Sequence, residues 1–377
     1  MIYLDSAATS LQKPAAVAAG MTRAMRTMAS PGRGGHRPAM LAAGMALDCR
    51  EAIAELFAVP EPDAVVFTMN ATHALNIAIH SSVQRGDRVV ISGYEHNSVT
   101  RPLAALGAEV VVAASPLFDA DAAVEAFRKA LVGAKCCVCT HVSNVFGFIL
   151  PIEEIAAMCR RGGVGLIIDA SQSAGCADID MQALGADYIA MPGHKGLLGP
   201  QGTGVLLCGK AGKPVMFGGT GSLSALQEMP DFLPDRLEAG THNITGIAGL
   251  IEGVRYVARR TPAAIQAHER ALMADMARRL EALPGAEIFA ARDPSVQAGV
   301  LSARFAGIDP ETMASELGER GVCVRAGLHC SPAAHSTAGT LDGGTVRFSF
   351  SPFNNAAENA RAAEAVAKVI KGGGKRG

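Results

Sequence analysis

From residue 60 to residue 210, short apolar runs alternate with segments of helical period, and this limits the possible folds more than any other feature. Val65-Val66-Phe67, Arg88 to Ser92, residues 136–142, Gly165 to Asp169 and Tyr188 to Met191 read as strands. Strands separated by helices imply a mainly parallel, doubly wound sheet of an α/β protein. Upstream, Ile2-Tyr3-Leu4 reads as a short strand, and helices are expected from Pro14 to Met28 and from Met40 to Phe57. A chain of 377 residues is too long for one compact core. We expect a large domain over residues 1–255, with residues 1–15 packing on its neighbour, and a smaller α+β domain over 256–377. Three short strands are expected there: Glu287 to Ala290, Val300 to Phe305 and Val322 to Arg325. Lys210 to Pro234 reads as a long loop, and the tail after Lys371 as disordered.

A formal net charge of −1 gives no reason to expect nucleic acid or an anionic membrane as a partner. No apolar run approaches the roughly 18 residues that a spanning helix needs. The start of the chain carries no basic region or cleavage signature, so a cytoplasmic location is expected. Nine cysteines at irregular spacing fit reduced thiols better than disulfides. Cys136 and Cys139 form C-x-x-C, but within one strand they point to opposite faces, and no second pair stands at zinc spacing. They read as core packing, and no metal site is expected.

Directly after Met191 comes G-H-K-G-L-L-G-P-Q-G-T-G, residues 193–204. Glycine at this density allows close backbone approach and positive φ. Lys195 at such a strand exit can be kept from bulk water, which lowers its pKa and makes the amine a nucleophile. The same stretch also reads as a surface hairpin with a solvated lysine. Asp169 weighs against that, because it ends an earlier strand and opens into the same ligand-binding crevice of an open α/β sheet. Pyridoxal phosphate requires this pair, a lysine for a Schiff base and a carboxylate for its pyridine nitrogen.

The Asp169-Ala170-Ser171-Gln172 strand end and the Gly193-His194-Lys195 lysine resemble the class V aminotransferase family of fold-type I pyridoxal phosphate enzymes. Within it, the chain is most similar to the cysteine desulfurase and selenocysteine lyase branch. The resemblance runs from Asp5 to about Asn354, with the motifs in the family's order. It implies a large domain with a sheet of the seven-stranded type. Asp5 to Thr9 resembles the segment lining the active-site entrance. Ser30 to His36 resembles a segment placing Arg33 and His36 at the substrate channel, and reads equally as a solvated loop. The strand–turn–helix at Thr68 to Ile79 offers free N–H groups to a phosphate, with Ala71 and Thr72 at the turn; Thr72 reads both as phosphate ligand and as helix cap. The resemblance implies that His96 stacks on the cofactor ring and handles protons, though a histidine past a strand is also an ordinary loop residue. Asn144 would contact the ring oxygen or the substrate carboxylate. Gln172 and His194 join the cofactor-binding set, and Thr241, in Arg236 to Asn243, would reach the phosphate of a partner subunit in a homodimer.

Val324 to Pro332 reads V-R-A-G-L-H-C-S-P. A cysteine after a glycine turn, beside a histidine and near an arginine, can hold a lowered thiolate pKa, and an inert buried cysteine is the other reading. The stretch resembles the catalytic loop of group II cysteine desulfurases, which makes Cys330 the sulfur nucleophile. Arg347 matches the arginine that grips the substrate α-carboxylate bidentately. The implied reaction converts L-cysteine to L-alanine: Lys195 holds pyridoxal phosphate and acts as base, Asp169 keeps the ring nitrogen cationic, and the sulfur ends as a persulfide on Cys330, from which an acceptor protein could draw it. Three positions depart from the pattern. Pro192 replaces a phosphate-binding hydroxyl, Leu328 replaces the first of two histidines, and His73 stands where many relatives carry an acid. A selenocysteine lyase acting on L-selenocysteine, a class V aminotransferase or epimerase without sulfur chemistry, and a sulfur-relay scaffold remain as alternatives. The joint presence of Lys195, Asp169 and Arg347 argues against the scaffold.

Overall fold

A computed structural model describes residues 1–32 and 34–373. Arg33, expected at the substrate channel, and the last four residues of the tail lie outside the described residues. The chain opens with strand β1 (Ile2–Tyr3) and two helices, Ala15–Thr27 and Arg37–Leu56. It continues through β2 (Val65–Thr68), β3 (Arg88–Ser92), β4 (Glu109–Ala113), β5 (Cys136–Thr140), β6 (Gly165–Asp169), β7 (Tyr188–Pro192) and β8 (Gly204–Cys208). β2 to β8 form one seven-stranded sheet in the order β2-β8-β7-β6-β5-β3-β4. Strands β3 to β7 run parallel. β8 runs antiparallel to β7 and β2, because the loop from 193 to 203 is too short for the crossover a parallel return requires. Every residue of β5, β7 and β8 is buried, as strands covered on both faces must be. Cys137 and Cys139 pack into one core cluster and Cys136 into another, on opposite faces of β5.

The remaining strands are β9 (Ala286–Phe289), β10 (Val300–Phe305), β11 (Val322–Cys323), β12 (Arg325–Gly327) and β13 (Thr345–Ser349). Four of them build an antiparallel sheet in the order β12-β13-β10-β9, while β11 pairs in parallel with β1. The segment Val322 to Arg325, expected as one strand, is thus divided between two sheets. Ile2 and Leu4 are buried in a cluster with Met276, Leu301, Phe348 and Val366, so the first residues are anchored to the C-terminal part of the chain. Residue 255 lies inside the helix Ile244–Arg260, whose apolar face packs on the larger cluster.

The segment carrying Thr241 is tied down by one buried ion pair. Arg50, in the helix Arg37–Leu56, binds Glu238 through both terminal nitrogens at 2.8 and 2.6 Å. Glu238 Oε1 also accepts the Phe67 N–H of β2 at 2.5 Å. Asn243 then caps the helix Ile244–Arg260 by accepting the Gly246 N–H at 2.9 Å.

Candidate active site

Chain order in the large sheet reverses between β3 and β5, which opens a crevice beyond their carboxyl ends. Segments leaving four neighbouring strands enter it: His96 after β3, Asn144 after β5, Asp169 at the end of β6 and Lys195 after β7. Together with Ala71, Thr72, Gln172 and His194 they line one cavity of about 220 Å³. The glycines around Lys195 are there for close approach. A Cβ on Gly193 would collide with the Thr203 hydroxyl, and one on Gly196 with the Ala174 carbonyl.

Burial lowers the Lys195 ammonium to about 8, with the Asp169 carboxylate pulling in the opposite direction. Asp169 is 3% exposed and accepts the Ser171 N–H at 2.9 Å. His96 Nδ1 accepts the Ser98 N–H at 3.0 Å, so the neutral ring carries its proton on Nε2. Burial lowers the His96 pKa, and Asp169 partly opposes it. His194 bonds Thr9 Oγ1 through Nδ1 at 3.0 Å, and burial lowers it to about 4, which leaves it uncharged at neutral pH. Gln172 donates to the Ala7 carbonyl at 3.0 Å.

Thr72 does not cap its helix. Asn70 does, accepting the His73 N–H at 2.9 Å, and the Thr72 hydroxyl instead bonds Ser98 Oγ at 2.7 Å. Among the described residues the first-turn amides of Ala71 and Thr72 have no protein acceptor. Pro192, which also lines the cavity, adds no donor to them.

Arg347, 2% exposed, touches the cavity lining through the backbone of Asn144. Its Nη1 donates to the Asn144 carbonyl at 2.8 Å and its Nη2 to Asp5 Oδ1 at 3.0 Å. Arg325 takes the other oxygen of Asp5 at 2.9 Å. Two guanidinium groups therefore share one carboxylate, and the Arg347 Nε is buried without a partner. That arrangement leaves one positive charge in excess, enough to receive one substrate carboxylate.

Cys330 is exposed, while its neighbours His329 and Ser331 are buried. His329 and Cys330 both adopt left-handed φ, +50° and +57°, which costs about 1–2 kcal/mol per residue. Burial, then Arg347 and His335, hold His329 far below its ordinary pKa, so it is neutral. The Cys330 carbonyl accepts the Asn97 N–H at 2.9 Å, directly beside His96.

His36 and Thr241 stand apart from this cavity in their own chain. His36 is an exposed N-cap, its Nδ1 accepting the Ala39 N–H at 3.4 Å. Thr241 is exposed and lines a separate cavity with Met69, His73 and His242.

Three residues of the site carry little or no signal of their role in the sequence. The sequence places Asp5 only in an entrance loop, yet it pairs with Arg347, 342 positions away. Ser98 links Thr72 to His96. Glu95 is wholly buried and accepts from Ser92 Oγ at 2.5 Å and the Thr140 N–H at 2.8 Å. Burial raises it to about 8, so at neutral pH it is a protonated strut between β3 and β5. Only the adjacency of Glu95 to His96 was a sequence signal for any of these.

This donor set fits pyridoxal phosphate: a buried amine of lowered pKa, a buried carboxylate, and a helix N-terminus with two open amides beside a hydroxyl. An α/β sheet with those groups at its switch point defines a pyridoxal-phosphate-dependent enzyme of fold type I. The chain belongs to the class V aminotransferase family, whose model matches residues 2–361. A probable cysteine desulfurase of Methanothermobacter thermautotrophicus is 34% identical over 95% of this chain and 92% of its own. One from Pyrococcus abyssi is 32% identical over 95% and 91%. Among solved structures, the apo cysteine desulfurase of Thermococcus onnurineus superposes with a TM-score of 0.90 at 30% identity, covering 98% of this chain and 95% of that one. The cysteine desulfurase CsdA of Escherichia coli, in an S-sulfonic acid form, gives 0.84 at 26% identity over 98% and 94%. No groups of three or more metal-ligating side chains occur among the described residues, and no helix there is long and apolar enough to cross a membrane.

Proposed function

We propose that this protein is a cysteine desulfurase, converting L-cysteine to L-alanine and leaving the sulfur as a persulfide on Cys330. The observation that carries the reading is the placement of an exposed Cys330 on a loop bonded to the wall of the Lys195 cavity through Asn144, at 2.8 and 2.7 Å. A cysteine that served packing alone would be buried, as Cys136, Cys137 and Cys139 are.

Lys195 would hold the cofactor, with Asp169 at the ring nitrogen, the His96 ring beside it, and Thr72 with the Ala71 and Thr72 amides at the phosphate. The bound cofactor supplies an electron sink for the charge that develops on the substrate Cα. Arg347 receives the α-carboxylate and orients the substrate. Lys195, an amine already disposed to lose its proton, takes the Cα proton. The Cys330 thiolate attacks the substrate sulfur, so that an S–S bond forms and the Cβ–S bond breaks. The electron pair of that bond stays with Cβ, which is protonated, and return of the proton from Lys195 to Cα gives alanine. Incubation of the holoenzyme with L-cysteine should yield alanine and one persulfide per active chain before any external thiol is added. Alanine formed only from L-selenocysteine would instead favour the selenium reading.

On the same reading the enzyme is a homodimer, because Thr241, which the resemblance assigns to a phosphate, is exposed and lines a different cavity from that of Lys195 in its own chain. An active species sedimenting as a monomer would refute it. A cytoplasmic location and delivery of the sulfur to an acceptor protein complete the proposal.

A further inference from the structure

We propose that Ser331 is a positioning residue for Cys330, its hydroxyl locking the Cys330 loop onto the cavity wall through the side-chain amide of Asn144. The inference rests on the reading of Cys330 as the sulfur nucleophile.

Ser331 begins the helix Pro332–Thr337, in the N-cap position where a serine hydroxyl normally accepts a backbone N–H. Here it caps nothing. Its Oγ, wholly buried, donates to Asn144 Oδ1 at 2.7 Å. That bond fixes which end of the amide faces which way, because an oxygen must meet the hydroxyl proton. Asn144 Nδ2 is thereby aimed at the His329 carbonyl, to which it donates at 2.8 Å. One amide thus grips the chain on both sides of Cys330, and one of its N–H groups is left over on a residue that lines the Lys195 cavity.

The grip is needed because two consecutive residues without glycine's freedom, His329 and Cys330, are left-handed. An unrestrained loop would relax toward ordinary φ and carry the thiol with it. Two further bonds report on whether it does so: the Ser331 N–H to the Leu328 carbonyl and the Asn97 N–H to the Cys330 carbonyl, both at 2.9 Å. Arg347 holds the backbone carbonyl of the same Asn144. The carboxylate receptor, the amide and the thiol loop are consecutive links of one hydrogen-bonded chain.

The test is Ser331→Ala, made in the holoenzyme and again in an Asn144→Ala background. Losing one buried hydrogen bond should speed exchange of the Ser331 and Asn97 amides by roughly tenfold. It should lower kcat for L-cysteine by a similar factor and leave KM within about twofold, since the carboxylate site is untouched. In the Asn144→Ala background the same substitution should add almost nothing. Unchanged exchange and kcat, or a full further loss on top of Asn144→Ala, would overturn the proposal. Full desulfuration by Cys330→Ala would instead remove the sulfur reading, and the exchange rates of Ser331→Ala would still decide whether the clamp exists.

Discussion

Lys195→Ala is expected to lower alanine formation by at least about three orders of magnitude, because the substitution removes both the covalent tether of the cofactor and the base at Cα. Borohydride should fix the cofactor to the wild-type chain at Lys195 and fail to do so in the variant. Retained fixation would place the tether elsewhere. The fold should survive, since the Lys195 side chain makes no hydrogen bond among the described residues, the 2.9 Å bond from the Leu198 N–H to the Lys195 carbonyl is kept by alanine, and the neighbourhood is shaped by Gly193 and Gly196. A pH dependence follows from the lowered pKa. Uptake of pyridoxal phosphate by the cofactor-free protein needs the neutral amine, whose fraction grows about tenfold per pH unit below the pKa. Uptake should therefore climb through pH 6 and 7 and level off near 8, the value to which burial brings Lys195. A rise continuing to pH 10 would mean an ordinary, solvated lysine.

The second large effect concerns Cys330. Cys330→Ala should reduce alanine release from L-cysteine by about a hundredfold or more, the range for loss of a nucleophile that no neighbour replaces. Cofactor content and the spectral change on adding L-cysteine should stay as in the wild type, because Lys195, Asp169 and Arg347 are intact. Release from L-selenocysteine should persist at least in part, since the C–Se bond is weaker and selenium leaves more readily. A persulfide on one of the other eight cysteines, with undiminished desulfuration, would defeat the assignment. Geometry makes that outcome unfavourable: among those cysteines, Cys136, Cys137, Cys139 and Cys208 are buried, with thiols that burial pushes upward in pKa; for Cys137, a bond to Cys159 contributes most.

Much of this was legible in the sequence because it depends on local pattern. Apolar runs of strand length separated by helices specify a doubly wound sheet, and glycines around a lysine at a strand exit mark a close approach. Asp169 ends a strand and His96, Asn144 and Lys195 each follow one, so the parallel sheet itself carries them to one edge. Where the pattern was ambiguous, short-range competition decided. Asn70 and Thr72 are both good helix caps, and Asn70, one residue ahead of the first helical turn, takes the His73 N–H. The stretch Val322 to Arg325 has the composition of one strand, but β1 and β13 each offer it a partner, and it breaks to serve both.

Residue types and their order along the chain were thus sufficient for the class of fold, the lysine, the carboxylate and the cysteine, since each is announced by its own neighbours. Tertiary structure alone decided what those groups touch. Asp5 neutralises part of the charge on Arg347 across 342 positions, Asn144 reaches His329 across 185, and Ser331 turns its hydroxyl away from its own helix to an amide 187 residues earlier. No periodicity records such pairs, because a hydrogen bond is indifferent to sequence separation and forms wherever folding brings a donor and an acceptor within about 3 Å.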